Sequence, residues 1–263
     1  MATRPTFPAR LTFPGAPPTP SSLHARKPPA AAKTPPVLVT ATPSMASEAV
    51  RQRMVRKLAA QGIADARVLH AMGAVERHRF VDSALVNQAY EDTSLPIGLG
   101  QTISKPNVVA RMIELLLAAP ALRNRPGDRL GRVLEIGTGC GYQAAVLSHV
   151  ASEVYSIERL RGLHEKARVN LRPFRLATVH LLLGDGMVGY AKGGPYAGII
   201  AAAGGEAVPQ AWIDQLAVGG RIVAPTQSGN GRQALVVIDA TSTGLQRSIL
   251  EAVHFVPLKS GIA

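Results

Sequence analysis

Apolar residues recur at helical spacing where the chain first shows a regular pattern. Val50, Met54 and Leu58 predict a helix that begins near Ser47 and ends near Gly62. Two further helices are expected, each after residues that favour a helix start. Their apolar faces are Val68, Leu69 and Met72 after Asp65, and Val108, Val109, Met112, Ile113 and Leu116 after Ser104, Lys105 and Pro106.

After Gly131, short apolar runs alternate with helical patterns. The predicted strands are 132–136, 153–157 and 179–183, and the predicted helices between them are 142–150 and 160–171. Further apolar runs, read as strands, lie at 197–203, 221–224, 234–238 and 249–256. Such alternation is typical of parallel βαβ units. We therefore expect an α/β fold with about seven mostly parallel strands flanked by helices, preceded by a helical segment.

Residues 1–44 differ from the rest in composition. They hold eleven of the 20 prolines and five basic residues but no acidic one. Because proline fixes φ and removes a backbone donor, we predict a disordered basic tail at 1–44 and a single domain at 45–263. The prolines also interrupt every apolar stretch that a signal peptide would need, and they disfavour the amphipathic helix of a transit peptide.

Charge and cysteine content narrow the class of protein. The longest run without Asp, Glu, Lys or Arg, residues 136–152, contains three glycines, so we expect no transmembrane helix. A single cysteine excludes an internal disulfide and fits a reducing compartment such as the cytoplasm. No metal-binding histidine spacing lies on a predicted helix. The net charge of +12 raises nucleic acid as a partner, but basic and aromatic residues do not cluster.

A glycine-rich loop, EIGTGCGY at 135–142, follows the first strand of the βα series. Its candidate cofactor-binding residues are Glu135, Gly137, Thr138, Gly139 and Gly141. Glycines at this turn let the backbone approach a nucleotide-like ligand. A dinucleotide fingerprint would need glycine where Tyr142 stands, and Glu135 would repel a pyrophosphate. The loop therefore favours an adenosyl cofactor with a cationic tail, as in S-adenosylmethionine.

Two acids end the next two predicted strands. Glu158 lies where a carboxylate can accept hydrogen bonds from ribose hydroxyls. Asp185, followed by Gly186, ends the third strand, where it can accept from the adenine amine. Each acid could instead cap a helix, and the loop could be a plain tight turn. Three such features at three successive strand ends favour the adenosyl cofactor.

A segment upstream of the loop is more specific. Residues 95–106 read LPIGLGQTISKP, and with 184–186, 209–220 and 252–258 they make the chain resemble the bacterial protein-L-isoaspartate O-methyltransferase family from about Met54 onward. The resemblance implies a Rossmann-like methyltransferase fold. It also implies transfer of a methyl group from S-adenosyl-L-methionine to the α-carboxylate of L-isoaspartyl residues in proteins. The ester then closes to a succinimide, whose hydrolysis returns some normal aspartyl linkage.

The resemblance also implies the residues of the site. It gives the active-site role to Ser104 and cofactor contacts to the 135–141 loop, Glu158 and Asp185. The matching segments add Thr102 and Ile103 as substrate contacts and Gly186 as a cofactor contact. The family suggests a monomer that acts on protein or peptide substrates, and nothing in the pattern calls for nucleic acid, membrane or metal.

The fourth strand of the βα series departs from the family pattern. Where the family often has YDAIIVTAA, residues 196–204 read YAGIIAAAG, which loses an acid at Ala197 and a hydroxyl at Ala202. Gly204 and Gly205 then lie beside the expected peptide site, which leaves substrate positioning there open.

The acceptor chemistry needs neither histidine nor cysteine. A free carboxylate, with a pKa of roughly 3.5 to 4, is ionised at neutral pH and needs no general base. The site should therefore act by positioning. Ser104 could cap the following helix, and it could also donate to a substrate carboxylate held at that helix N-terminus. Cys140 has no His or acid in the loop to activate it, so we expect a packing role.

Two other functions compete with this one. A methyltransferase of the same fold acting on nucleic acid or a small molecule would fit the basic charge but would not need residues 101–104. A non-catalytic module whose tail binds RNA or acidic partners would be favoured by loss of Glu135 or Glu158, or by clustered aromatic residues. Both acids are present, and the tail has only Phe7 and Phe13 as aromatic residues.

Overall fold

The computed structural model describes residues 45–122, 128–227 and 231–263, with side chains from residue 48 onward. The tail at 1–44 lies outside the described residues, so its disorder stays a prediction. The α-helices of the described part are α1 (Met45–Ala60), α2 (Ala66–Ala74), α3 (Pro106–Leu117), α4 (Tyr142–Leu147), α5 (Arg161–Leu171) and α6 (Gln210–Asp214). None of these helices is long and apolar enough to cross a membrane.

Nine strands lie in the same described ranges. They are β1 (Leu95–Gly98), β2 (Gln101–Ile103), β3 (Leu130–Ile136), β4 (Ala151–Glu158), β5 (Val179–Leu183), β6 (Tyr196–Ala201), β7 (Leu216–Gln227), β8 (Gln233–Thr241) and β9 (Gly244–Val253). β1 and β2 form a hairpin of their own that the sequence did not predict, because each strand is too short to show a period of two.

The other seven strands form one sheet in the order β5-β4-β3-β6-β7-β8-β9. Neighbours from β5 to β7 are parallel, whereas β7, β8 and β9 pair antiparallel. β6, a central strand, reads YAGIIA and is largely buried, as expected for a strand covered on both faces. The α/β fold with about seven mostly parallel strands is therefore confirmed.

The ends of the first helices follow from their sequence. Gly62, with φ +100°, lies just past α1, and glycine adopts this left-handed conformation without strain. The Asp65 carboxylate accepts a hydrogen bond from the Arg67 backbone N–H at 2.8 Å and so caps α2, as predicted. α4 is shorter than the predicted 142–150, because the chain turns after Leu147 to enter β4.

Apolar side chains pack on both faces of the sheet. Val133 of β3 joins a cluster with residues of α1 to α5, whereas its neighbour Leu134 joins a second cluster with Trp212 of α6. The Trp212 indole N–H donates to the carbonyl of Gly186 at 2.8 Å in the buried interior. This contact fixes the turn after β5, so core packing sets one wall of the site.

The parallel strands end at a common edge. Ile136 of β3 pairs with Ile157 of β4 and with Ala201 of β6, and Glu158 of β4 pairs with Leu183 of β5. In open α/β sheets, ligands bind in the crevice outside the carboxyl ends of the strands. The residues predicted for cofactor binding lie at or just after these strand ends.

Candidate active site

The glycine-rich loop joins β3 to α4 with three residues in the left-handed region. Gly137, Gly139 and Gly141 have φ of +89°, +57° and +92°. A side chain would be strained at each of these angles. A Cβ at Gly141 would also lie 3.0 Å from two carbon atoms of Leu171, so glycine lets α4 start close against α5. The loop directly follows the end of β3, and its contact with a cofactor stays a prediction.

The Glu158 carboxylate is fixed by two backbone N–H groups. Oε2 accepts from Gly139 and Oε1 accepts from Leu160, both at 2.9 Å. The residue is only 5% exposed. Each carboxylate oxygen has a second lone pair, so Glu158 is held in place and can still accept from a ligand.

A cleft of about 440 Å³ opens at these strand ends, and we call it the cofactor cleft. Gly137, Glu158 and Gly186, three of the predicted cofactor-binding residues, line it between the apolar side chains of Ile136 and Ile157. A Cβ at position 186 would lie 2.6 Å from the nearest Ile136 methyl, so glycine is needed for this close approach. The volume falls in the range of small-molecule sites. The Glu158 carboxylate can accept from ribose hydroxyls, and the isoleucine side chains can pack against an aromatic base.

Asp185 is near the cofactor cleft but is engaged by the protein itself. Its Oδ1 accepts from the Met187 N–H at 2.8 Å, and its Oδ2 accepts from the Gly261 N–H at 2.7 Å. It caps the short 3-10 turn Gly186–Val188 and ties down the C-terminal segment. Both carboxylate oxygens therefore hold backbone beside the cleft.

Glu135 lies beneath the loop and does not line the cleft. It is fully buried, and burial raises the pKa of its carboxyl to about 8 against the opposing effect of nearby Ser156 and Gln143. The Ser156 hydroxyl donates to Oε2 and also pairs with the Thr138 hydroxyl at 2.6 Å. Oε1 has no hydrogen-bond partner among the described residues. Glu135 and Thr138 thus hold the glycine loop against β4 through the buried hydroxyl of Ser156.

A second cleft, of about 810 Å³, adjoins the first, and we call it the acceptor cleft. Thr102 and Ser104 line it, and Val256 and Pro257 line both clefts. Ile103 is buried and instead lines, with Ser104 and the glycine loop, a small cavity of about 40 Å³. Ser104 therefore lies between the glycine loop and the acceptor cleft.

Ser104 is not the cap of α3, so that alternative is wrong. Lys105 holds the N-cap position, and no side chain of the cap bonds the first turn. The carboxylate of Asp92 accepts from the Asn107 N–H at 2.9 Å and takes up one of the free donors of the helix end. No described residue bonds the Ser104 hydroxyl, because Pro106 starts the helix one residue too late for a serine cap. The hydroxyl is available to a ligand.

A buried arginine that sequence reasoning missed holds the backbone of Ser104. Arg77 is fully buried and donates to the carbonyls of Ala89 and Ser104, each at 2.7 Å. Its guanidinium lies 4.8 Å from the ring centroid of Tyr142, the first residue of α4. Burial lowers the pKa of Arg77. The Arg77 guanidinium thus links the backbone of Ser104 to α4. This contact depends on the tertiary structure and has no local sequence motif.

The C-terminal segment, residues 255–263, forms the outer wall of both clefts. Its last residues are fastened to the start of α5: Arg161 N–H donates to the Ala263 carbonyl at 2.8 Å, and Ala263 N–H donates to the Arg159 carbonyl at 2.9 Å. The Arg159 side chain donates to the Gly261 carbonyl at 2.9 Å. The match at 252–258 thus lies at the site.

The two departures from the family pattern, at Ala197 and Ala202, lie in different parts of the structure. Ala202 lines the acceptor cleft, so the lost hydroxyl bears on the substrate side. Ala197 lines neither cleft and lies beside Gly131, at the amino ends of β6 and β3. The lost acid is therefore remote from the chemistry.

The described residues offer no nucleophile or metal site that competes with this geometry. Cys140 is buried, and burial raises the pKa of its thiol to about 11, which keeps it protonated and unreactive. No cluster of three or more His, Cys, Asp or Glu side chains in the described ranges could hold a metal ion.

Comparison with known proteins identifies the family. Residues 49–263 match the family model for protein-L-isoaspartate(D-aspartate) O-methyltransferase. The chain belongs to this family. The protein-L-isoaspartate O-methyltransferase of Methylibium petroleiphilum is 63% identical over 217 residues, which are 82% of this chain and 79% of that relative. That of Leptothrix cholodnii is 59% identical over 218 residues, 82% of this chain and 75% of the relative.

Solved structures agree with the isoaspartyl methyltransferase family. A protein-L-isoaspartate O-methyltransferase superposes with a TM-score of 0.70 at 28% identity, over 80% of this chain and 66% of that one. A protein-L-isoaspartate O-methyltransferase from Plasmodium falciparum, in complex with S-adenosyl-L-homocysteine, has a TM-score of 0.66 at 21% identity, over 80% of this chain and 98% of that one. The second likeness is one of fold. The resemblance inferred from residues 95–106 is confirmed.

Proposed function

We propose that this chain transfers a methyl group from S-adenosyl-L-methionine to the α-carboxylate of L-isoaspartyl residues in damaged proteins, which starts repair through a succinimide. Family membership supports the reaction and its cofactor. The observation that carries the proposal is that the acceptor cleft, which Ser104 lines, adjoins the cofactor cleft at Val256 and Pro257. Ser104 belongs to the segment 95–106 that distinguishes this family.

The cofactor cleft would hold the adenosyl group through strand-end residues. Glu158 accepts hydrogen bonds from the ribose hydroxyls, and Ile136 and Ile157 flank the base. The backbone at Gly137 and Gly186 approaches the cofactor closely because neither residue has a Cβ. When bound, the cofactor supplies a methyl group activated by its sulfonium sulfur.

Glu135, Thr138 and Asp185 do not line the cofactor cleft and would support the residues that do. Glu135 and Thr138 set the shape of the glycine loop through Ser156. Asp185 holds the C-terminal segment over the cleft through Gly261. Its oxygens have second lone pairs, as those of Glu158 do, and the contact with the adenine amine stays a prediction.

The acceptor carboxylate lies beside Ser104. The Ser104 hydroxyl donates to one of its oxygens, and the exposed ammonium of Lys105 supplies attractive charge in the same cleft. Arg77 holds the Ser104 carbonyl at 2.7 Å and so fixes the place of the hydroxyl. The anion is held by side chains, since Asp92 already occupies part of the α3 terminus.

The reaction needs no proton transfer from the acceptor. Its carboxylate is ionised at neutral pH, and Cys140 stays protonated well above that pH. The remaining task is to place an oxygen in line with the methyl group and to exclude water. Orientation of this kind can lower a barrier by roughly 7 to 11 kcal/mol. A site built from one hydroxyl, backbone and apolar walls suits that task.

The substrate is a protein or peptide, and nucleic acid is not a partner. We also place the working protein in the cytoplasm as a monomer. The single Cys140, buried and without a disulfide partner, suits a reducing compartment. The family suggests the monomer.

Methyl transfer to matched peptides tests the proposal. Labelled S-adenosyl-L-methionine is supplied with an isoaspartyl peptide, its aspartyl twin or RNA, and initial rates are compared. We expect base-labile label on the isoaspartyl peptide alone. Equal labelling of both peptides, or faster labelling of RNA, would favour the rival methyltransferase and exclude this function.

A further inference from the structure

A glutamine that sequence reasoning passed over lines the acceptor cleft together with Ser104. Gln233 is the first residue of β8 and is half-buried. The acceptor cleft continues into a depression of about 390 Å³ that shares Gln233, Val253 and His254 with it but not Ser104. Gln233 therefore lies where the groove leads away from the reacting centre.

The orientation of this side-chain amide is fixed by one hydrogen bond. The atom of Gln233 that contacts the Phe255 backbone N–H at 2.6 Å must be the carbonyl oxygen, because an N–H can only donate. The amide nitrogen Nε2, with its two hydrogens, then points elsewhere. No described residue accepts a hydrogen bond from it.

The missing side chain of Gly204 makes room for that nitrogen. Gly204 is held by two backbone hydrogen bonds to the C-terminal segment, with Val256 and Leu258, each at 2.8 Å. A Cβ at Gly204 would lie 2.7 Å from Gln233 Cδ and closer still to Nε2. The family often has alanine at this position. The departure noted in the sequence thus has a physical reason, since it lets the amide occupy the space beside the cleft.

As far as the structure describes it, the lining of this groove offers several hydrogen-bond donors and no carboxylate. Ser104, Lys105 and Gln233 contribute hydroxyl, ammonium and amide hydrogens, and the described lining includes no Asp or Glu. A neutral amide donor matches a neutral carbonyl oxygen. Such an oxygen recurs in every peptide whatever its sequence, which suits an enzyme that acts on many proteins.

We propose that Gln233 Nε2, placed in the space that Gly204 leaves, donates to a main-chain carbonyl oxygen of a residue flanking the isoaspartyl residue. The inference rests on the proposed function and deepens it. Gln233 is then a substrate-binding residue that sets KM. It should have no part in cofactor binding, because it does not line the cofactor cleft.

The test is a double-mutant cycle of Gln233→Ala and Gly204→Ala. An alanine at 204 meets only the flexible end of Gln233, so it should push the amide aside at little cost to the fold. Each single change should raise KM for an isoaspartyl hexapeptide roughly threefold to tenfold, as for loss of one neutral hydrogen bond, with kcat nearly kept. The double variant should be no worse than Gln233→Ala alone.

Two matched variants and one titration control the cycle. Gln210→Ala removes an exposed glutamine that bonds Asp214, and Gly73→Ala adds a methyl group in α2 at ordinary contact distance, so both should keep the wild-type KM. Calorimetry with S-adenosylhomocysteine should give the same affinity for Gln233→Ala as for the wild type.

Peptides shortened one residue at a time locate the contact. The effect of Gln233→Ala should vanish at the truncation that removes the flanking carbonyl. An unchanged KM in Gln233→Ala, an equal loss on every peptide length, additive effects in the cycle or a parallel loss of cofactor affinity would each overturn the inference. A wild-type protein that does not methylate the peptide would instead overturn the proposed function.

Discussion

Replacing Glu158 with glutamine should weaken cofactor binding while the fold survives. The carboxylate accepts from the N–H groups of Gly139 and Leu160, both at 2.9 Å. Glutamine keeps one acceptor oxygen and turns an NH2 group toward the other N–H, which leaves a donor unpaired at a cost of roughly 1 to 3 kcal/mol in unfolding free energy. The fold should tolerate this, since the change conserves volume.

The expected loss of cofactor affinity is larger than that of a neutral hydrogen bond. A ribose hydroxyl that donates to a carboxylate is worth roughly 1.5 to 3 kcal/mol. Losing one such bond at Glu158 corresponds to roughly ten- to 150-fold weaker binding of S-adenosylhomocysteine. The KM for the isoaspartyl peptide should stay near the wild-type value, because Glu158 lines only the cofactor cleft.

Calorimetry with S-adenosylhomocysteine and thermal unfolding measure the two effects separately. Glu165→Gln is the matched control: Glu165 lies on the exposed face of α5 and bonds Arg168 at 3.0 Å, so its loss should change neither quantity appreciably. If Glu158→Gln is folded and binds the ligand within twofold of the wild type, Glu158 does not hold the ribose.

Ser104→Ala should lower kcat for the isoaspartyl peptide roughly tenfold or more and leave the affinity for S-adenosylhomocysteine nearly unchanged, because the hydroxyl serves the acceptor side. Glu135→Gln should remove a pH dependence of stability. Because burial raises the pKa of Glu135 from 4.5 to about 8, the native protein keeps a proton that the unfolded chain releases between these pH values. The free energy of unfolding of the wild type should therefore fall by about 1.4 kcal/mol for each pH unit that the pH rises between them. Removal of residues 1–44 should keep the thermal midpoint within a few degrees and keep the methyl transfer activity, and any difference in activity should shrink in high salt, which screens the charge of the tail.

Clear results would contradict each of these three. Loss of S-adenosylhomocysteine binding in Ser104→Ala would move that serine to the cofactor side. Urea unfolding at about pH 5.5 and about pH 7.5 should show that the wild type loses more unfolding free energy than Glu135→Gln as the pH rises. An equal change in both proteins would mean that Glu135 is ionised in the native state. An insoluble protein after removal of residues 1–44, or one that is inactive at every salt concentration, would show that the tail packs on the domain.

The cofactor side of the site could be predicted because it depends on local geometry. In a parallel sheet, a strand followed by a glycine loop, with a carboxylate at the end of the next strand, indicates a site for a nucleotide-like ligand. Gly137 and Glu158 accordingly line the cleft. Glu135 was predicted to contact the ligand because it directly precedes the glycine loop. It lies within β3, and its side chain is buried against Ser156 and does not line the cleft.

The acceptor side could be predicted only in part. Residues 101–104 were found through the family resemblance, which does not tell what holds them. Arg77 reaches Ser104 from a 3-10 turn 27 positions earlier, and Gln233 reaches the cleft from the other end of the domain. Neither belongs to a local motif, because each is placed by tertiary packing. The short β1–β2 hairpin is missed for a different reason, since strands of three and four residues show no period of two.

The position of the transferred methyl group tests the central claim most directly. The full chain is incubated with S-adenosyl-L-methionine and an equimolar mixture of an isoaspartyl peptide and its aspartyl twin. The reaction is stopped at acid pH to preserve esters, and tandem mass spectrometry locates the methyl group. We expect one methyl group on the α-carboxylate of the isoaspartyl residue and none on the twin. A methyl group on the aspartyl side chain, on the peptide C-terminus or on a nitrogen would contradict the reaction proposed for Ser104 and the two adjoining clefts.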